Sequence, residues 1–377
     1  MIESGAFFTD AEVCGVAPQT DWSRWIDHGG APPSDVGNGF RVEWLNDFSL
    51  VSELGFRSVA ITLEWARLEP AAGDYQQGEV EHLRSMLQGA RDTGLGVTAC
   101  LVDGTLPGWF AVDEHGFVDN RSRTHLWPRH VEWIGETFGD LVDGWLPQRE
   151  PIHHAVRNQL LAMGPPGRHD SEDTAKAVRA ALLADGEAWR VLAGSSPVAT
   201  SQTARQFVPE REIVPAKKAV DRLDGLFRHS WIGALASGVI EVPGLPAMDA
   251  PQLRDAFDII VLHARPAVGI DAESAWSPLD AGFLLEGMAT PLHELAEHAG
   301  DRQLHVAADV APVDDDGEAQ SDHLQGLRAE AVDAGATRWW QTSPIDGWAW
   351  ERGFDGRGGI LDADRKPKAA AAVFGTG

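Results

Sequence analysis

Glu150 is the residue whose setting says most about chemistry. It lies near the end of the apolar run LVDGWLPQREP, a predicted strand that stops at an acid followed by a proline. A carboxyl group fixed and desolvated at the end of a buried strand is expected to have a raised pKa, which suits it to donate a proton near neutral pH. Such an acid serves the cleavage of acetals, a reaction that normally uses a second carboxylate across the pocket.

Composition restricts the possible partners. The chain of 377 residues has 57 acidic and 31 basic residues, for a formal net charge of −26. This charge repels phosphates and argues against nucleic-acid or anionic-membrane partners. No apolar stretch reaches the length of a membrane span, and the beginning has no basic segment followed by a long apolar one. We therefore predict a cytoplasmic protein without a disulfide framework, in which Cys14 and Cys100 are small buried apolar residues.

Short apolar runs alternate with segments of helical period. We predict strands, each buried on both faces, at 12–17, 57–63, 96–102, 143–148, 197–201, 257–262, 303–308 and 338–348. Eight strand-then-helix units without a linker or a composition break predict one (β/α)8 TIM barrel, an α/β fold, over residues 1–377. A doubly wound sheet is the competing fold, but no GxGxxG follows the first predicted strand.

The C-terminal strand ends of such a barrel converge on one site, and acids and indoles are frequent there. The candidates along the chain are Gln19, Trp22, Trp65, Asp103, Arg149, Glu150, His263, Arg265, Asp309, Asp346, Trp348 and Trp350. The chain has 15 tryptophans and one tyrosine. Because an indole face stacks on the C–H face of a sugar ring, this mouth predicts a small-molecule carbohydrate ligand.

The order of segments resembles glycoside hydrolase family 1, the β-glucosidase and β-galactosidase family, and is most similar to its archaeal-type members. DFSLVSELGFRSVAITLEWARLEP resembles the helix and second strand of that family. CLVDGTLPGWF is similar to its TLYHWDLP segment, QREPIHHAV to its TFNEP motif, and IDGWAWERGFDGRGG to its DNFEWAEGYSKRFG end. The resemblance spans nearly the whole chain, and it implies a barrel that acts on glycosides.

The catalytic positions of the family are changed in this sequence. The resemblance puts the acid/base glutamate at Glu150, but the asparagine before it becomes Arg149. It puts the nucleophilic glutamate at Ala308 and the arginine beside that nucleophile at Ala60, and the tyrosine on the sixth strand has no counterpart. These losses belong together, because a buried arginine without its carboxylate would be an uncompensated charge. Ordinary retaining β-glucosidase activity is therefore doubtful.

Three interpretations follow. The first is a glycosidase in which Glu150 is the general acid/base and Asp309 or Asp103 replaces the missing carboxylate, although strand alternation predicts that Asp309 points away from the pocket. The second is a pseudoenzyme that binds a sugar or a protein and does no hydrolysis.

The third interpretation is new chemistry on the same barrel. Asp103, Glu150, His263 and Asp309 could bind a divalent ion, while Arg149 and Arg265 could hold an anionic group of a substrate. We place the divergent carbohydrate site first and the pseudoenzyme second, and we assign no cofactor and no metal ligand.

Overall fold

The computed structural model describes residues 2–9, 14–254, 256–273, 275–278, 285–308, 318–349, 353–356 and 358–374. Among these residues, eight strands form the main sheet. They are β1 (Glu3–Phe8), β2 (Ser58–Thr62), β3 (Gly96–Val102), β4 (Gly144–Gln148), β5 (Ala199–Ala204), β6 (Ile259–Ala264), β7 (Gln303–Ala308) and β8 (Arg338–Thr342).

The main sheet closes into a barrel. Its strand order is β4-β3-β2-β1-β8-β7-β6-β5, and all neighbours run parallel. At the remaining seam, Trp145 on β4 forms a parallel bridge with Val198, and its amide donates to the Pro197 carbonyl at 2.8 Å. The predicted (β/α)8 barrel is therefore confirmed.

Helices connect the strands around the outside. They are α1 (Asp21–Asp27), α2 (Phe40–Glu53), α3 (Trp65–Leu68), α4 (Gln77–Asp92), α5 (Trp127–Phe138), α6 (Pro151–Gln159), α7 (Ser171–Leu192), α8 (Val214–Asp224), α9 (Ser230–Ser237), α10 (Leu285–Ala296) and α11 (Glu318–Asp333). The longest, α7, begins where the Asp170 side chain accepts hydrogen bonds from the amides of Glu172 and Asp173.

None of the helices in the described ranges combines the length and the apolarity that crossing a membrane requires.

Short strands outside the barrel pair in small sheets. Val268–Ile270 lies between Trp276–Pro278 and Phe207–Pro209, while Gly347–Ala349 pairs with Gly353–Gly356 and Val239–Ile240 with Met248–Asp249.

The first predicted strand is wrong. The strand is ESGAFF at Glu3–Phe8, which pairs with both β2 and β8. Of the predicted run at 12–17, residues 14–17 are outside the sheet: Gly15 has φ +77, and the Val16 amide donates to Ser34 Oγ at 2.8 Å. Two apolar runs compete for one strand position here, and pairing with two neighbours decides between them.

The other predicted strands are found, and β3 and β7 have the predicted bounds. The run predicted at 338–348 is divided, because β8 ends at Thr342, Ser343 has φ +46, and Gly347–Ala349 forms a separate strand.

Each strand contributes one side chain to a buried cluster inside the barrel. Its members are Phe7, Ala60, Cys100, Leu146, Ala199, Val261, Ala307 and Trp340. Their neighbours along the strands, such as Phe8, Ile61 and Leu262, belong to the larger core between the barrel and the helices. This alternation determines which side chains can reach a site on the barrel axis.

Gly5 makes room for Trp340 inside the barrel. A Cβ atom at Gly5 would lie 2.4 Å from the indole ring and 2.7 Å from Ser58 Oγ. We predict that Gly5→Ala lowers the free energy of unfolding by about 1–3 kcal/mol, because overpacking forces the core to shift. Gly78→Ala on α4 is the matched control, since a Cβ there meets nothing within 4 Å, and it should stabilise by about 0.5 kcal/mol. Urea unfolding measures both variants, and a neutral Gly5→Ala would contradict the tight packing.

Candidate active site

Glu150 follows β4 and precedes the first residue of α6. Its backbone is left-handed, with φ 46 and ψ 49, and the residue is 1% exposed. This conformation costs roughly 1–2 kcal/mol in a residue with a Cβ atom, and such strain is concentrated at functional sites. The Glu150 amide donates to Ser201 Oγ at 3.1 Å, and the carbonyl accepts from the His154 amide at 3.1 Å. These bonds fix the position of the carboxyl group.

The Glu150 carboxylate is surrounded by polar groups from the next two strands. Thr203 Oγ1 on β5 donates to Oε1 at 2.7 Å. Arg265, just past β6, donates through Nε to Oε1 at 3.2 Å and through a terminal nitrogen to Oε2. His263 Nδ1 lies 3.5 Å from Oε2. The carboxylate is therefore held by a two-pronged ion pair and a hydroxyl.

The pKa of Glu150 is shifted in the direction opposite to the one predicted from the sequence. Burial by itself raises the pKa of this carboxyl, but the Arg265 guanidinium, assisted by His263, holds it well below its ordinary value. The predicted raised pKa is therefore wrong, because the charge of Arg265 outweighs the effect of burial on this carboxyl. Burial also lowers the pKa of His263 to about 3, so this imidazole is neutral at physiological pH.

A second ion pair lies beside the first. Arg149 Nε donates to Asp103 Oδ1 at 2.5 Å, and its guanidinium lies 5.2 Å from the centre of the Phe7 ring inside the barrel. Thr62 Oγ1 donates to Asp103 Oδ2 at 3.4 Å. Burial raises the pKa of Asp103, and the nearby Arg149 opposes this shift. We call Asp103, Arg149, Glu150, His263 and Arg265 the charged cluster.

The side chains at the end of β7 face different directions from those that the sequence predicts. Ala307 belongs to the cluster inside the barrel, whereas Ala308 packs in the outer core with Val306 and Leu304. Ala308 therefore does not occupy an inward position. Asp309 lies outside the described residues.

Two predicted sugar-binding tryptophans are core residues. Trp22 is fully buried on α1, where its Nε1 donates to the Gly104 carbonyl at 2.8 Å and the Arg157 guanidinium lies 4.8 Å from its ring centre. Trp65 is 1% exposed and stacks on His130 with the ring centres 4.1 Å apart. Neither indole has a face open to a sugar.

The remaining candidates are dispersed. Gln19 is exposed in the segment before α1. Asp346 accepts from Lys368 Nζ at 2.6 Å and from the Gly359 amide at 2.9 Å, so it joins two C-terminal segments. Trp348 is 2% exposed on the short strand Gly347–Ala349. Trp350 lies outside the described residues.

Sequence reasoning missed the β5 contribution to the site. Ser201 and Thr203 both contact Glu150, but the predicted strand ended at residue 201. The alternating hydroxyls of ATSQTA were the available signal, because residues two apart on a strand face the same side.

Two further features concern ligands. Within the described ranges, no three His, Cys, Asp or Glu side chains are arranged to hold a metal ion. A cavity of about 690 Å³ lies next to the charged cluster, and of the cluster's members Arg149 alone is in its lining. The strand-end residues expected to converge on one site therefore do not line this cavity together.

Comparisons with curated proteins find β-glucosidases. The chain is 25% identical over 230 residues to a beta-glucosidase of Agrobacterium sp., which covers 58% of this chain and 50% of the relative. It is 24% identical over 158 residues to beta-glucosidase A of Thermotoga maritima, which covers 42% of this chain and 35% of the relative. The matched part thus spans about half the length of these curated relatives or less.

Solved structures share the fold over almost the whole chain. The beta-glycosidase from Pyrococcus horikoshii superposes with a TM-score of 0.83 at 20% identity, covering 99% of this chain and 93% of that one. The family 1 β-glucosidase from Thermotoga maritima gives 0.83 at 17% identity, covering 99% and 96%. The family model for glycosyl hydrolase family 1 matches residues 25–238. Because this match covers more than half of the sequence, the chain belongs to glycosyl hydrolase family 1.

Proposed function

We propose that this protein binds a carbohydrate or glycoside at the C-terminal end of the barrel and does not hydrolyse it by the retaining route. The observation that carries the proposal is the ion pair between Glu150 and Arg265. Retaining hydrolysis needs one carboxyl that gives a proton to the leaving oxygen and a second, ionised one about 5 Å away. Glu150 is ionised and has its oxygens occupied, so it is a poor proton donor.

Arg265 is the member of the charged cluster that a ligand meets first. Its side chain is 22% exposed, whereas those of Asp103, Arg149, Glu150 and His263 are at most 5% exposed. A guanidinium with several donors suits the hydroxyl oxygens of a sugar. The family relatives named as β-glucosidases support the choice of a glycoside over other polar ligands.

We also propose that residues 1–377 form one domain. β1, near the N-terminus, pairs with β8, near the C-terminus. Neither strand can detach without opening the barrel, and this supports a single domain.

A second candidate function is hydrolysis with Asp309 as the other carboxylate. The observation that favours it is the register of β7, in which Ala307 faces inward and Ala308 outward. Ala308 is therefore not the residue turned towards the site, and Asp309 is the next acid along the chain. A gap of roughly 6.5–9.5 Å to Glu150 would then lead to inversion, and Arg265 would have to leave Glu150 before that acid could be protonated.

The first prediction is inertness towards ordinary aryl glycosides. We expect nitrophenyl β-glucoside and β-galactoside to be hydrolysed at the background rate, because Glu150 holds no proton to donate. Incubation with an activated fluorosugar should leave the intact mass of the protein unchanged. A covalent glycosyl adduct, on protein whose circular dichroism shows it to be folded, would sink the proposal.

The second prediction concerns the asymmetry of the Glu150–Arg265 pair. Arg265→Met leaves a buried carboxylate without its charged partner and should lower the free energy of unfolding by about 2–4 kcal/mol near neutral pH. Glu150→Gln leaves an arginine that reaches solvent and should cost less, about 1 kcal/mol. Arg211→Gln removes an exposed arginine far from the cluster in sequence and is the matched control.

The stability lost in Arg265→Met should depend on pH in one direction. The folded pKa of Glu150 lies well below its ordinary value of 4.5, so the pair stabilises the protein above that value and its contribution fades as the pH falls further. Urea unfolding of wild type and Arg265→Met should therefore differ most near neutral pH and progressively less in acid. A difference that is constant with pH, or a larger loss for Glu150→Gln, would contradict the ionised pair.

The third prediction separates the two candidate functions. Ala308→Glu should restore no glycosidase activity and should destabilise by about 2–4 kcal/mol, because it buries an unpaired carboxylate in the outer core. If any glycoside is turned over, Asp309→Asn should abolish that turnover under the second candidate and leave it unchanged under the first. Activity assays with circular dichroism controls measure both effects.

A further inference from the structure

The cavity beside the charged cluster has the dimensions of a ligand site. Its volume of about 690 Å³ lies within the range of small-molecule pockets, roughly 300–1,000 Å³. We call it the side pocket. It is lined by residues of α1, the segment 104–118, α6, the segment 165–168 and the first half of α7, and it is open to solvent on one side. Its apolar lining includes Val102, Leu106, Val112, Phe117, Pro151 and Ala177.

The side pocket is more basic than the rest of the protein. Its lining contains Arg24, Arg149, Arg168 and Lys176 against Asp21 and Asp173, whereas acids outnumber bases in the whole chain by 57 to 31. Asp103 and Glu172 pair with two of these cations, so the charges around the pocket balance. In a chain of net charge −26, such a pocket repels an anion less than the acidic remainder of the protein does.

Arg24 is the cation available to a ligand. Arg149 pairs with Asp103, Arg168 pairs with Asp173, and Lys176 lies 2.7 Å from Glu172. The Arg24 side chain is exposed and makes no hydrogen bond or ion pair with any residue in the described part of the chain. The acid nearest to it in sequence, Asp21, accepts hydrogen bonds from the amides of Trp22 and Leu106, which partly offset its charge.

We propose that the side pocket binds an amphipathic organic anion. The apolar ring system of the ligand lies against Leu106 and Phe117, and its acidic group meets Arg24. The proposal does not rest on the glycoside-binding function, since Arg149 is the one described residue that the charged cluster and the side pocket share.

Two fluorescent probes of the same shape test the proposal. Anilinonaphthalene sulfonate carries an acidic group, and phenylnaphthylamine is the corresponding neutral molecule. We expect one anionic probe to bind per chain. Arg24→Gln should weaken that binding about tenfold while changing the neutral probe by less than about twofold, because only the sulfonate uses the guanidinium. Arg211→Gln removes the same charge elsewhere and should change neither.

Filling the side pocket provides the second arm. Ala177→Phe should weaken the binding of both probes more than about tenfold, because the larger side chain occupies the cavity. Ala155→Leu takes its place if Ala177→Phe does not fold. Glu150→Gln should leave both probes unchanged, so failure of this site and failure of the glycoside site can be told apart. Equal weakening of both probes by Arg24→Gln, no weakening by either filling variant, or several probes bound per chain would overturn the proposal.

Discussion

The burial of an ionised carboxylate at Glu150 is the constraint on which the candidate site depends. A charge that is 1% exposed costs several kcal/mol unless a partner of opposite charge and further hydrogen bonds compensate it. Arg265 supplies the charge, and Thr203 supplies a hydroxyl at 2.7 Å. The ends of β4, β5 and β6 must therefore keep their relative positions. The same ion pair favours the ionised form of Glu150, which carries no proton.

The backbone brings charges of alternating sign together. Because Glu150 is left-handed, Arg149 and Glu150 both reach interior groups although they are adjacent on the chain: Arg149 lies over Phe7, and Glu150 meets Thr203. The resulting set of two carboxylates and two guanidiniums is close to neutral, in contrast to the net charge of the chain. Mutual compensation of this kind lets four charged side chains occupy the end of a closed barrel.

Family membership establishes the fold of this protein but does not by itself establish its chemistry. The barrel superposes on solved β-glucosidases over nearly its whole length, but one fold supports many activities, and the activity depends on the groups at the strand ends. Here those groups form ion pairs, while Trp22 and Trp65 pack in the core. A cavity large enough for a small molecule lies to one side, and its lining in the described part of the chain includes residues of α1, α6 and α7, Arg24 among them.

The sequence by itself determined the barrel, the bounds of β3 and β7, and the location of Asp103, Arg149, Glu150, His263 and Arg265 at strand ends, because buried runs and helical periods are local properties. Tertiary structure decided the rest. Arg265, which is 115 positions from Glu150, reverses the pKa shift that burial alone would cause. Pairing with β2 and β8 selects Glu3–Phe8 as the first strand, and pairing of β7 turns Ala308 outward. Each of these depends on which distant strands become neighbours, a choice that no local pattern contains.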